Sequence, residues 1–136
     1  MDRKTPEEFK AAARAIRDRL ERWSRHSGSI GGLSGIINDW SNGLGWWENA
    51  EQHNIPTKLV LIHSEVTEAF ESWRNGEEPD FVQPDGKPDG WGIELADVII
   101  RCLDLATQHG LNMEDMLQRK MMYNAGRPYR HGGKKV

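Results

Sequence analysis

The stretch from Trp91 to His109 constrains the fold more than any other part of the chain. Leu95, Val98, Ile99, Ile100, Cys102, Leu103, Leu105 and Ala106 fall on almost every side of a helix, and a helix apolar nearly all round is expected to be buried. One narrow stripe is the exception. With Glu94 as origin, Asp97, Arg101 and Asp104 lie at about 300°, 340° and 280° by the helical repeat, so all four polar groups point the same way. Charges on such a helix need partners, because an unpaired buried charge is very costly. The rest of the chain has to supply both apolar cover and those partners.

Helical spacing recurs elsewhere. Thr5, Pro6 and Glu8 suit the cap, first position and third position of a first helix. Phe9, Ala12, Ala13, Ile16, Leu20 and Trp23 continue it as one apolar stripe to about Arg25, before Gly28. Ile36, Ile37 and Trp40 point to a second helix in a glycine-crowded region, followed by a turn around Gly43 to Trp47. After Ile55-Pro56-Thr57, a third helix carries Leu59, Ile62, Val66, Ala69, Phe70 and Trp73 on one face and stops at Gly76. Residues 74–90, with Pro79, Pro84 and Pro88, read as a long loop of the kind that is more often functional than idle. The helix that opens at Trp91 closes at Gly110, and Asn112 caps a fifth, with Asp115 at its third position, ending at Gly126 and Pro128. No segment sustains period-two alternation, so the expected fold is all-α, a bundle of four or five helices with strands minor or absent.

At 136 residues the chain has the size of a single domain, 1–136. Its net charge of −3 divides into −7 on residues 1–126 and +4 on the last ten, from Arg127, Arg130, Lys134 and Lys135. So acidic a body does not favour nucleic acid as a partner. The single cysteine, Cys102, excludes an internal disulfide framework and, in its apolar run, reads as an inert thiol. The opening residues MDRKTPEEF lack the apolar core of a signal peptide, and no stretch approaches the roughly 20 apolar residues that span a bilayer. A cytoplasmic protein without membrane contact is expected.

The third helix offers carboxylates at the spacing seen on the fourth. Glu65 and Glu68, three residues apart, share a face and flank the apolar stripe, whereas Glu71 turns further towards solvent. If the two helices pack antiparallel across the proline-rich loop, Glu65, Glu68, Glu94 and Asp97 converge. Four such groups cannot stay ionised together without a cation. Oxygen-only ligation suits Mg²⁺ or Mn²⁺ and argues against Zn²⁺. His63, about 200° from Glu65 on the wheel, reads as structural or surface rather than as a ligand. Arg101 and Asp104 read as supports that hold the acids in place. Taken singly, each acid pair is a common pattern on solvated helix faces; the apolar surroundings of Glu94 and Asp97 raise its significance.

Glu65-x-x-Glu68, followed after 25 residues by Glu94-x-x-Asp97, resembles the signature of the MazG-like, all-α nucleoside triphosphate pyrophosphohydrolases. The surrounding words are similar too, from Lys58-Leu-Val-Leu-Ile-His-Ser-Glu65-Val-Thr-Glu68-Ala to Glu94-Leu-Ala-Asp97-Val-Ile-Ile. The resemblance covers roughly residues 36–130 and leaves residues 1–28 as an additional N-terminal helix and 127–136 as a basic tail. It implies that the four acids hold Mg²⁺, that this grips a triphosphate, and that water cleaves between the α and β phosphates. It further implies phosphate-binding roles for Lys120, Asn124 and Arg127, with Arg130 following in the tail, and a base-holding role for Trp46 or Trp47. Lys58, in the first of these words, joins the substrate-binding candidates. The family pattern opens with two adjacent glutamates; here Ser64 replaces the first.

The reading so assembled is a Mg²⁺-dependent pyrophosphohydrolase converting a nucleoside triphosphate to its monophosphate and pyrophosphate. A phosphoribosyl-ATP pyrophosphohydrolase of similar fold is its nearest rival, and a non-catalytic helical module that binds nucleic acid or protein is the rival from another class. The all-round apolar fourth helix is more than so small a bundle readily covers, so a homodimer or homotetramer is expected.

Overall fold

The computed structural model describes residues 5–25, 28–49 and 54–127. In chain order they form α1 (Pro6–Arg25), α2 (Ile30–Gly43), α3 (Ile55–Arg74), β1 (Phe81–Val82), β2 (Pro88–Asp89), α4 (Trp91–Gln108) and α5 (Met113–Ala125). The fold is all-α, with one two-residue antiparallel strand pair, Phe81 opposite Asp89 and Val82 opposite Pro88.

Helix ends follow local chemistry. The Thr5 N–H donates to Glu8 Oε2 at 2.6 Å and the Glu8 N–H donates to Thr5 Oγ1 at 3.3 Å, a reciprocal cap that starts α1. The Asp115 N–H donates to Asn112 Oδ1 at 3.1 Å and starts α5 in the same manner. α2 is longer than its glycines predict. Ser29 caps it, accepting from the Gly32 N–H at 3.0 Å, and Trp23 of α1 lies so close to Gly32 that a Cβ there would meet Trp23 Cδ1 at 3.4 Å. Packing of α2 against α1 and α4 outweighs the intrinsic cost of Gly31, Gly32 and Gly35.

α4 lies between α2 and α3 and is the central helix, as expected. Ile36 and Ile37 from α2, Trp47 from the turn, Ala69 from α3, and Leu103 and Ala106 from α4 form the buried apolar core. Two expectations of burial are corrected here. α4 is covered on two sides only: Leu103 and Ala106 are buried, but Leu95 is exposed and Ile99 is 56% exposed. On α3 the buried residues are Glu65, Ala69 and Ser72, whereas Leu59, Val66, Phe70 and Trp73 of the apolar stripe face outward, Trp73 being 63% exposed. The reason is shared. α3 turns its acid-bearing side to α4, which leaves its apolar stripe uncovered, while Leu95 and Ile99 of α4 are left uncovered too. Phe70 and Trp73 stack on each other there, ring centroids 6.2 Å apart.

Residues 75–90 are more ordered than a plain loop. Gly90 has φ 114°, and a Cβ there would approach Glu78 O at 2.4 Å and Pro79 O at 2.8 Å. The Pro79 carbonyl accepts from the Gly92 N–H at 2.8 Å, which ties the segment to the first turn of α4. Among the described residues no helix is long and apolar enough to cross a membrane.

Candidate functional site

α3 and α4 run antiparallel, and their register decides which side chains meet. Carboxylate oxygens of Glu65, Glu68 and Glu94 all lie within 4.8 Å of one another. Glu65 is buried, with 6% of its surface exposed, and Arg101 Nη2 reaches its Oε1 at 2.6 Å. Asp97 stands beside them, lining the same cleft as Glu65 and Arg101. Of the four acids expected to converge, Glu65, Glu68 and Glu94 come together, Asp97 lies beside them, and Arg101 pairs with Glu65.

Electrostatics record the crowding. Burial, then the charges of Glu68, Asp97 and Glu65, push the Glu94 carboxyl above its ordinary value. Burial and the Glu65 charge do the same to Asp97, against the opposing pull of Arg101 and Lys87. Every candidate ligand is a carboxylate, and their mutual repulsion is of the kind a hard divalent cation relieves. The donor set therefore fits Mg²⁺ or Mn²⁺.

Next to the acids, α2, the turn after it, α3 and α4 enclose a cleft of about 390 Å³. Glu65 and Asp97 lie towards one end, while Trp40, Trp46, Trp47, Lys58 and Asp104 line the rest, with Ile37, Leu61 and Ile100 as apolar wall. Trp47 is a core residue. Its Nε1–H donates to Asp104 Oδ2 at 3.0 Å and its ring meets His109 edge-on. Trp46 is 56% exposed and is the more available of the two predicted base-holding rings. Lys58 places its ammonium 4.0 Å from the centre of a Trp47 ring and 3.5 Å from the Trp46 carbonyl. Burial lowers its pKa, with Asp104 opposing and Arg101 reinforcing that shift.

Asp104 does something other than support the acids. It accepts from Asn38 Nδ2 at 2.8 Å, Ser41 Oγ at 2.8 Å and Trp47 Nε1, and so fastens α2 and the aromatic turn to α4. The wheel placed it on the correct side of the helix; two turns along the axis from Asp97, it meets different neighbours. Ser64, where the resemblance leads one to expect an acid, turns its hydroxyl back to donate to Leu61 O at 2.7 Å. His63 is exposed and apart from the cluster.

Lys120, Asn124 and Arg127 are not brought to the cleft. They lie on or just after α5, which packs against α2 and α4, and none of them lines the cavity. Lys120 and Arg127 flank the Tyr123 ring at 5.5 and 5.9 Å, and Asn124 Oδ1 is buried without a hydrogen-bond partner. Arg130, Lys134 and Lys135 fall outside the described residues. Lys87, which the sequence did not single out, lies on the hairpin near enough to Glu94 and Asp97 to feel both charges, and it pairs with Asp89 at 3.4 Å. Its only sequence signal was its place in a long proline-rich loop. Comparison of the chain with protein-family models, with curated proteins and with solved structures finds no match.

Proposed function

We propose that the chain is a Mg²⁺-dependent nucleotide pyrophosphohydrolase of the MazG-like type, cleaving a nucleoside triphosphate between its α and β phosphates. The observation that carries this reading is the convergence of the Glu65, Glu68 and Glu94 carboxylates, with Asp97 adjacent, at one end of an aromatic cleft. Glu65, Glu68, Glu94 and Asp97 would hold Mg²⁺, with Mn²⁺ as substitute. When bound, the cation neutralises phosphate charge and polarises the phosphorus under attack.

The chain's own residues do the rest. Arg101 fixes the rotamer of Glu65 and supplies positive charge beside it. Trp46 and Trp40 offer ring faces to a base, and Trp47, held by Asp104, gives the cleft a rigid wall. With Ser64 bonded to its own helix, orientation of the attacking water falls to the four acids. Assigning the pyrophosphate to Lys120 and Asn124 requires α5 of a second copy of the chain at the cleft, whereas Arg127 and Arg130 could also reach it through the segment after Ala125.

The uncovered apolar residues of α3 and α4, Val66, Phe70, Trp73, Leu95 and Ile99, support self-association as a homodimer or homotetramer in solution. Size-exclusion chromatography with light scattering at micromolar concentration should show it, and a monomer alone would count against it. For the activity, each dNTP is incubated with the protein and Mg²⁺. Monophosphate and pyrophosphate should appear, and Glu94→Gln or Asp97→Asn should abolish turnover while the helical circular dichroism persists. Release of orthophosphate instead would sink α–β cleavage.

A further inference from the structure

We propose that Lys58 reads a carbonyl oxygen on the base of the nucleotide, so that oxo-bearing bases are preferred to adenine, which has none; this rests on the nucleotide reading above. Lys58 and Glu65 are seven residues apart on α3, hence on one face and about 10.5 Å apart along the helix axis. That separation corresponds to the stretch from the inner phosphates of a nucleotide to the far edge of its base. With the phosphates at the acid end, the Lys58 ammonium meets the base and not the triphosphate.

The ammonium is placed to donate. No carboxylate among the described residues forms an ion pair with it; its contacts are the Trp47 ring and, at 3.5 Å, the Trp46 carbonyl. Asp104 on the opposite wall is already engaged by Asn38, Ser41 and Trp47. The aromatic part of the cleft therefore presents a cationic donor whose ring contact is satisfied but whose hydrogen-bonding capacity is not. A carbonyl oxygen accepts from an ammonium, whereas the exocyclic amino group of adenine sets donor against donor. Beside the tryptophans, the mismatch also denies the ammonium the further acceptor that an oxo base supplies.

Hypoxanthine and adenine share one ring system and differ at position 6, oxo against amino, and at the adjacent N1, protonated in hypoxanthine and an acceptor in adenine. The test measures kcat/KM for dITP and dATP with Mg²⁺, and binding of dIMP and dAMP by titration calorimetry in the same Mg²⁺ buffer. It uses the wild-type chain, Lys58→Met, which keeps most of the stem, and Lys58→Arg, which keeps the charge. The wild type should favour the hypoxanthine nucleotide by about tenfold, the scale of one charge-assisted hydrogen bond. Lys58→Met should bring the ratio near one, and Lys58→Arg should retain a preference. A wild type without the preference overturns the inference before any variant is needed. So does a Lys58→Met chain that keeps the preference, or one that weakens both nucleotides equally, since the latter is the mark of a phosphate contact. If no triphosphate is cleaved, the pyrophosphohydrolase reading falls while the monophosphate titrations still decide the role of Lys58. Absence of binding by either monophosphate overturns it.

Discussion

Replacing Arg101 by Met tests whether the acid cluster is balanced from within the fold. The guanidinium reaches Glu65 Oε1 at 2.6 Å, and the Glu65 side chain is 7% exposed while that of Arg101 is 43% exposed. Two unit charges about 4 Å apart attract by about 1 kcal/mol in water and about 4 kcal/mol at an effective dielectric near 20. A buried acid facing a half-exposed cation sits between these limits, so solvent screening brings the expected loss to about 2 kcal/mol. Met keeps much of the stem that packs along the helix, which isolates the charge. Urea unfolding followed by circular dichroism in EDTA at neutral pH should show the midpoint falling by on the order of 1 M. Two conditions should shrink the loss. Acidification protonates Glu94 and Asp97, whose carboxyls are held above their ordinary values, and millimolar Mg²⁺ supplies another positive charge, so the variant should gain more from Mg²⁺ than the wild type does. A loss below about 0.5 kcal/mol in EDTA, or one indifferent to both Mg²⁺ and acid, would refute the argument.

Two further outcomes are expected. Gly90→Ala should cost about 3 kcal/mol, because φ 114° is a glycine conformation and the new Cβ would collide with Glu78 O and Pro79 O. Gly86→Ala, also at positive φ but with open space around it, should cost about 1 kcal/mol, and equal losses at the two sites in chemical denaturation would contradict the reasoning. For pH, Glu94 and Asp97 are raised above 4.5 and 3.8, so just above those values the folded chain retains protons that the unfolded chain has lost. Their contribution to stability is fully present below the unfolded values and is lost as pH rises through the folded ones. Thermal melts in EDTA should therefore show Tm falling as pH rises from just above 4.5 towards 7 on account of these groups, and a Tm rising over that interval would reverse the sign. Asp89, lowered by its bonds to Gly90 and Gln83, acts in the opposite direction but only in more acidic solution.

Helix starts were legible because caps are local: Thr5 with Glu8, and Asn112 with Asp115, specify their geometry within four residues. The acid pairs were legible because three-residue spacing fixes a face. What the wheel leaves open is the neighbour that a face meets. The stripe from Leu59 to Trp73 was plain in the sequence, yet the side of α3 that packs on α4 is the one carrying Glu65, Ala69 and Ser72. Asp104 shows the same gap along the axis: its direction was read correctly, but its partners come from α2 and the turn, more than fifty residues earlier. The glycines of α2 misled in the other direction, since tertiary contacts with Trp23 and α4 sustain a helix that propensity disfavours.

The register of α3 against α4 also orders events in time. A polyanion diffusing alone towards the acid end of the cleft meets Glu65, Glu68 and Glu94, with Asp97 beside them, only partly offset by Arg101 and Lys87, and the field there disfavours it. A divalent cation meets the reverse. Under the proposed function, the species admitted would be a cation already seated or an anion that arrives with its cation, and free nucleotide in excess of metal would be a poor entrant and a competitor for the ion itself.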